Sequence, residues 1–275
     1  MSKSLITIKN CKIENSKTTL IENISWEMKE GENWLVIGPN GGGKADFLAG
    51  LSRRDRVKIT PKAPTAGNVA ATQEDGAPTQ GDRSPTANDA GLYSKQFIDS
   101  TELGSLEVAA RLIQEEREND ESEYVEGGVD IGRTGRKFLA EVLTPGDVCA
   151  PTDVNTPSVA DKLEGFPEVK LCGLENFLDT GLKYMSTGQI RRTLLARALL
   201  SGKKLLILSD PFAGLDAESR TILIDFFNNI AKKQSPKLIL SMERWHEIPE
   251  GITNVLEIKD KAVSFSGTRQ EYEKL

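Results

Sequence analysis

The sequence predicts an α/β fold built on a mostly parallel sheet, and three observations carry that expectation. Runs of consecutive apolar residues, the mark of strands buried on both faces, recur at residues 34–37, 204–208 and 237–240. A helical stretch at residues 219–230 separates the last two, so strand and helix alternate, and the crossovers must be right-handed. The first run leads through glycines straight into a segment able to begin a helix.

With 275 residues, 38% of them hydrophobic, the chain can bury one large α/β core with an appended subdomain, or two small domains. Its formal net charge of −6 and isoelectric point near 5.2 give no general attraction to phosphate backbones or anionic lipid, so nucleic acid is not an expected partner. No apolar run approaches the roughly 18 residues a membrane span requires. The N-terminus lacks a secretory pattern, so a cytoplasmic protein without membrane insertion is expected. Cys11, Cys149 and Cys172 lie far apart without metal-ligand spacing, which suits a reducing compartment and packing roles.

In chain order, residues 5–8 and 19–24 read as strands, and Trp26 and Trp34 as core. Residues 52–90 are rich in Pro, Thr, Ala, Asp, Gln and Gly and hold too little apolar surface to offset ordering, so a flexible insert is expected. Residues 102–118 carry Leu103, Leu106, Ala110 and Ile113 at helical spacing. The acidic residues 115–126 that follow read as a solvated face. Residues 144–160 form a second apolar-poor stretch, and residues 255–258 and 262–265, around Lys259-Asp260-Lys261, read as a closing hairpin.

The loop Gly38-Pro39-Asn40-Gly41-Gly42-Gly43-Lys44-Ala45 sits between strand and helix, the context that an anion cradle requires. Glycines let successive backbone N–H groups converge on phosphate, the helix N-terminus adds partial positive charge, and Lys44 reaches the terminal phosphates. Such a loop ordinarily ends in Ser or Thr, whose hydroxyl binds Mg²⁺; Ala45 removes that ligand. Asp46 follows, and its carboxylate either competes with phosphate for the helix dipole or stabilises the empty loop.

Further on, Tyr184-Met185-Ser186-Thr187-Gly188-Gln189-Ile190-Arg191-Arg192 heads an amphipathic helix, with Ser186 and Gln189 at capping-box spacing. A strand then ends in Ser209-Asp210-Pro211-Phe212-Ala213-Gly214-Leu215-Asp216. The order of phosphate loop, Ser-x-Gly-Gln helix and apolar strand resembles the ABC ATPase family over residues 5–51 and 165–258. The stretch 184–216 looks like the branch of molybdate-associated and photorepair-type soluble ATPases. A kinase or GTPase with a phosphate loop would leave the signature helix and the Asp216 turn unaccounted for.

The resemblance implies a P-loop NTPase fold: a RecA-like parallel core, an N-terminal antiparallel β-subdomain and an inserted helical signature subdomain. The expected division of this single domain is a core at residues 1–51 and 203–275, the insert at 52–90 and the helical subdomain at 91–202. It implies ATP as ligand: residues 38–46 cradle it, Ser186 and Gly188 of an opposing copy or a second nucleotide-binding domain donate to its γ-phosphate, Gln189 supports that turn, and Asp216 belongs to the binding set. A separate membrane subunit is a further implied partner. Thr187 stands where the family has glycine, which crowds that approach without excluding it.

Catalytic positions depart from the family pattern. Ser209 replaces the acid that orients Mg²⁺, while Asp210 keeps a carboxylate, one methylene shorter, that either orients water or caps the next turn. Counted back from Pro249, the switch histidine's place falls on Glu243, and the chain's one histidine, His246, lies three residues later. The adenine-stacking place falls on Asn15, and no glutamine is clearly placed as the Mg²⁺-sensing one, Gln96 and Gln114 both being candidates. Two functions are therefore expected: an ATP-binding subunit that dimerises around nucleotide and hydrolyses it slowly through Asp210 with water-held Mg²⁺, or a non-hydrolysing regulatory or scaffold relative.

Overall fold

The protein is represented by a computed structural model that describes residues 3–52, 57–62, 100–120, 130–143, 160–233, 235–245 and 247–275. Two long antiparallel strands, β1 (Ser4–Glu14) and β2 (Thr19–Lys29), open the chain. Their alternating burial follows from apolar residues at every second position facing inward. The buried strand β3 (Trp34–Ile37) then leads to α1 (Lys44–Ser52), and β4 (Lys58–Pro61) returns to pair antiparallel with β1. The sequence places β4 inside the flexible insert; instead it completes the sheet β2-β1-β4, with Ile59 packed on the core beneath it. The rest of the insert lies outside the described residues.

Next come β5 (Thr101–Gly104), α2 (Leu106–Glu118), α3 (Gly135–Leu143), α4 (Pro167–Leu171) and α5 (Thr187–Leu200). The chain closes with β6 (Leu205–Ser209), α6 (Ala217–Lys233), β7 (Lys237–Met242), β8 (Asn254–Lys259), β9 (Ala262–Thr268) and the short α7 (Arg269–Tyr272). The larger sheet has the order β5-β6-β7-β3-β8-β9, parallel except for the antiparallel β9. The predicted closing hairpin is thus β8–β9.

Because side chains alternate across a strand, the same apolar runs serve two cores. Trp34, Val36, Ile207 and Ile239 face β1, β2 and α1; Leu35, Leu206, Leu208 and Leu240 face α5 and α6. Trp26 stands edge-on to both Trp34 and Phe47, at centroid distances of 5.2 and 5.3 Å, so the two tryptophans are core residues as expected. A third cluster, including Leu112, Phe138, Ile190 and Leu194, joins α2, α3 and α5.

Two expectations for the middle segment need correction. Leu103 belongs to β5 rather than to the helix, because residues 101–104 extend the parallel sheet beside β6 and Ser105 caps α2 by accepting from the Val108 N–H. Glu116 does not lie on a solvated face: it is buried and paired with Arg133 at 2.8 Å, an ion pair that fastens α2 to the segment before α3. Residues 121–126 of that acidic cluster, residues 144–159 and Cys149 lie outside the described residues. Cys11 and Cys172 are free and buried, and desolvation pushes the Cys172 thiol up to about 12, which fits packing roles.

Candidate functional site

The glycine loop turns between the tip of β3 and α1 because three of its glycines adopt left-handed backbone: Gly38 at φ 148°, Gly41 at 76° and Gly43 at 106°. At Gly38 a Cβ would lie 2.0 Å from the Ile258 carbonyl oxygen, so only glycine fits. The Lys261 N–H donates to the Gly42 carbonyl at 2.9 Å and fastens the loop to the β8–β9 turn. Lys44 is almost wholly buried, and its ammonium donates to the Gly38 carbonyl. Desolvation moves its pKa down, opposed by the charges of Asp210 and Glu243.

Above the loop lies a cavity of about 560 Å³. Its walls come from the loop, from Gly104 and Ser105 after β5, from Ser209 and Asp210 after β6, from Ser241 and Glu243 at the end of β7, and from Arg191 and Leu194 of α5. The cavity therefore sits at the carboxyl ends of parallel strands, where open α/β sheets carry their ligands. Pro39, Asn40, Gly41, Gly43, Lys44, Ala45 and Asp46 all line it, so residues named from the sequence converge on one space.

Asp210 has a left-handed φ of 46°. Its N–H donates to the Ser241 carbonyl at 2.8 Å, and its own carbonyl accepts from the Ala213 N–H at 3.0 Å. The turn is thus closed by the backbone of Asp210, leaving its carboxyl on the cavity wall. That carboxyl is pushed above the ordinary range, chiefly by desolvation; Lys44 and Arg191 pull it down, and Glu243 pushes it up. Ala45 presents a methyl group where a direct magnesium donor is expected, and Ser209 a neutral hydroxyl where the acid that orients the ion is expected. No cluster of three metal-capable side chains occurs among the described residues. These residues do not fit a magnesium ion held directly by the protein, whereas the glycine turn and Lys44 do fit a polyphosphate.

Ser186 and Gln189 form the reciprocal cap of α5: the Gln189 N–H donates to Ser186 Oγ at 3.2 Å, and Gln189 Oε1 accepts from the Ser186 N–H at 2.7 Å. Ser186 is exposed, and neither it nor Gly188 nor Gln189 lines the cavity of its own chain. Asp216 accepts from the N–H and hydroxyl of Ser219 at 2.8 and 3.1 Å, capping α6; these bonds lower its pKa. Asn15 is a turn former, its side chain accepting from the Lys17 and Thr18 N–H groups, with no place in the cavity. Gln114 donates to Glu118 on the exposed face of α2, away from the cavity. Gln96 and His246 lie outside the described residues. Sequence reasoning missed Arg191, Ser105 and Ser241 as wall residues; the register of β6 against β7, which sets Ser209 opposite Ser241, is the signal that finds the last of them.

A parallel sheet whose strand tips carry a glycine phosphate loop, flanked by an antiparallel sheet and a capped signature helix, defines a nucleotide-binding domain of the phosphate-loop class. The family model for the ABC transporter matches residues 21–213, and the chain belongs to that family as an ATP-binding protein. It is 26% identical over 269 residues to an uncharacterized ABC transporter ATP-binding protein of Schizosaccharomyces pombe, covering 98% of this chain and 48% of that protein. It is 26% identical to the ABC transporter ATP-binding protein ModF of Escherichia coli over 261 residues, 94% of this chain and 43% of that one. The chain thus spans about half the length of these two relatives. The phosphonates import ATP-binding protein PhnC of Bdellovibrio bacteriovorus is 23% identical, with 98% and 91% covered. Among solved structures, cbiO1 of Clostridium perfringens, part of the ABC transporter complex cbiONQ, superposes with a TM-score of 0.57 at 17% identity, covering 99% of this chain and 91% of that one. A bacterial Atm1-family ABC exporter with ATP bound gives 0.58 at 15%, over 99% of this chain and 40% of that one. These structural likenesses show the fold. No helix among the described residues is long and apolar enough to cross a membrane.

Proposed function

We propose that this chain binds ATP in the cavity above the glycine loop and that binding drives its association with a second nucleotide-binding domain. The observation that carries this reading is the intact cradle: Gly38, Gly41 and Gly43 hold the left-handed turn, and Lys44 is buried against it. Ser186 and Gly188 stand outside their own cavity, which supports their service to an opposing site. Import proteins among the relatives, including the phosphonates import ATP-binding protein PhnC, support a separate membrane subunit as a further partner on the cytoplasmic side.

Loss of metal donors at Ala45 and Ser209 favours a second reading, a non-hydrolysing regulatory or scaffold protein. In the hydrolysing reading Asp210 accepts the proton of the attacking water, its raised pKa bringing it nearer the working range of a base. Phosphate release by the purified chain separates the two. Slow release that falls about 100-fold in Asp210→Asn establishes the hydrolysing reading. Release at the background rate in both proteins establishes the non-hydrolysing one, and release unaffected by the substitution removes Asp210 from the chemistry.

A further inference from the structure

Ser241 is fully buried, yet its Oγ has no hydrogen-bond partner among the described residues. Its neighbours on β7, Leu238, Ile239 and Leu240, are aliphatic core residues, so packing alone would accept an alanine or valine at this position. A buried hydroxyl without a partner is a net cost to folding, and its retention calls for a ligand. Ser241 lies opposite Ser209 in the β6–β7 register, and both residues line the cavity above Lys44. On the same wall Arg191 projects from α5, one turn beyond the cap, close enough for its charge to act on Asp210.

Charge makes the case for Arg191. The wall carries three carboxylates, Asp46, Asp210 and Glu243, against two cations, Lys44 and Arg191. A polyphosphate entering such a cavity without a protein-held metal needs every available donor, and a guanidinium pairs with phosphate in two-pronged geometry. We propose that Arg191 and Ser241 are phosphate-binding residues of this cavity, the guanidinium supplying the second positive charge and the hydroxyls of Ser241 and Ser209 donating to the terminal phosphate, so that nucleotide is held without a divalent ion. This inference rests on the reading that ATP occupies the cavity.

Calorimetric titration of ATP into the full chain, in EDTA and in Mg²⁺, tests it. The wild-type affinity in EDTA stays close to that in Mg²⁺, since Ala45 supplies no direct metal contact to lose. In EDTA, Ser241→Ala weakens binding about tenfold and Arg191→Gln by at least as much, as expected for bonds to a charged group. Thermal unfolding of the free protein guards against a folding artefact: Ser241→Ala leaves the midpoint unchanged or raised, because an unpaired hydroxyl has been removed. A lowered midpoint means that the hydroxyl is bonded within the protein and overturns its role. Wild-type affinity in both variants, or wild-type binding only in Mg²⁺, overturns the inference while leaving the nucleotide reading standing. No ATP binding by the wild type in either buffer overturns both.

Discussion

In the proposed reading, where nucleotide occupies the cavity beside Asp210, that residue couples binding to proton uptake. Its carboxyl is already displaced upward by desolvation, with Glu243 adding to the shift and Lys44 and Arg191 opposing it. A carboxyl whose folded pKa lies above its unfolded value favours the folded state when protonated, so its contribution to stability falls as pH rises through the folded value. Phosphate placed in the same cavity displaces the pKa further upward, so the bound complex holds the proton more tightly than the free protein does. ATP affinity is therefore expected to rise as pH is lowered towards the raised folded value of that carboxyl, by up to about tenfold for one unit of added displacement. Asp210→Asn flattens that slope; an affinity profile equally steep in the variant would assign the proton to another group. Glu243, also on the wall, is the first alternative to examine by the same substitution to glutamine.

At the scale of elements, α5 links the signature to the cavity, since its first turn carries the reciprocal cap and its next turn carries Arg191. Ser186→Ala removes one half of the cap, and a loss of about 1 kcal/mol in urea unfolding is expected. A loss near zero would mean that packing of Ile190, Leu194 and Leu195 alone holds the helix start. The elements that were legible in the sequence are those whose burial leaves a mark along the chain. Strands β3, β6, β7 and β8 are covered on both faces and read as apolar runs, and the α5 cap reads from Ser186 and Gln189 alone. Strand β5 was not legible, because an edge strand with Thr101, Glu102 and Gly104 around Leu103 has no such run. Strand β4 escaped for the same reason, being an edge strand of four residues in a Pro- and Thr-rich stretch. The glycine loop was legible because its residues are consecutive. Arg191 and Ser241 were not, because only the folded sheet brings them to the wall beside Lys44.

At the scale of the whole molecule, the proposed reading makes the cavity and the signature turn two half-sites on one chain, and satisfying both then requires a second domain. Each copy carries a formal charge of −6, so association of two copies starts from repulsion that salt screens. In the proposed reading, ATP and contact across the turn supply the attraction. Gly188 offers a clean probe, because a Cβ there meets nothing nearer than Ser186 Oγ at 4.0 Å, and the residue lies in the first turn of a helix. Gly188→Trp is therefore expected to fold, and its ATP affinity as a monomer to match that of the wild type. In sedimentation velocity the wild type moves from monomer towards dimer on adding ATP, and Gly188→Trp stays monomeric. Lys44→Ala, which loses the phosphate contact itself, stays monomeric for lack of nucleotide. Wild type that dimerises equally without ATP, or a tryptophan variant that dimerises as well as the wild type, would place the contact elsewhere on the chain. Should the wild type bind ATP yet remain monomeric at every concentration and salt tried, the second domain must be something other than a second copy of this one, because one copy's turn then fails to cover another copy's cavity.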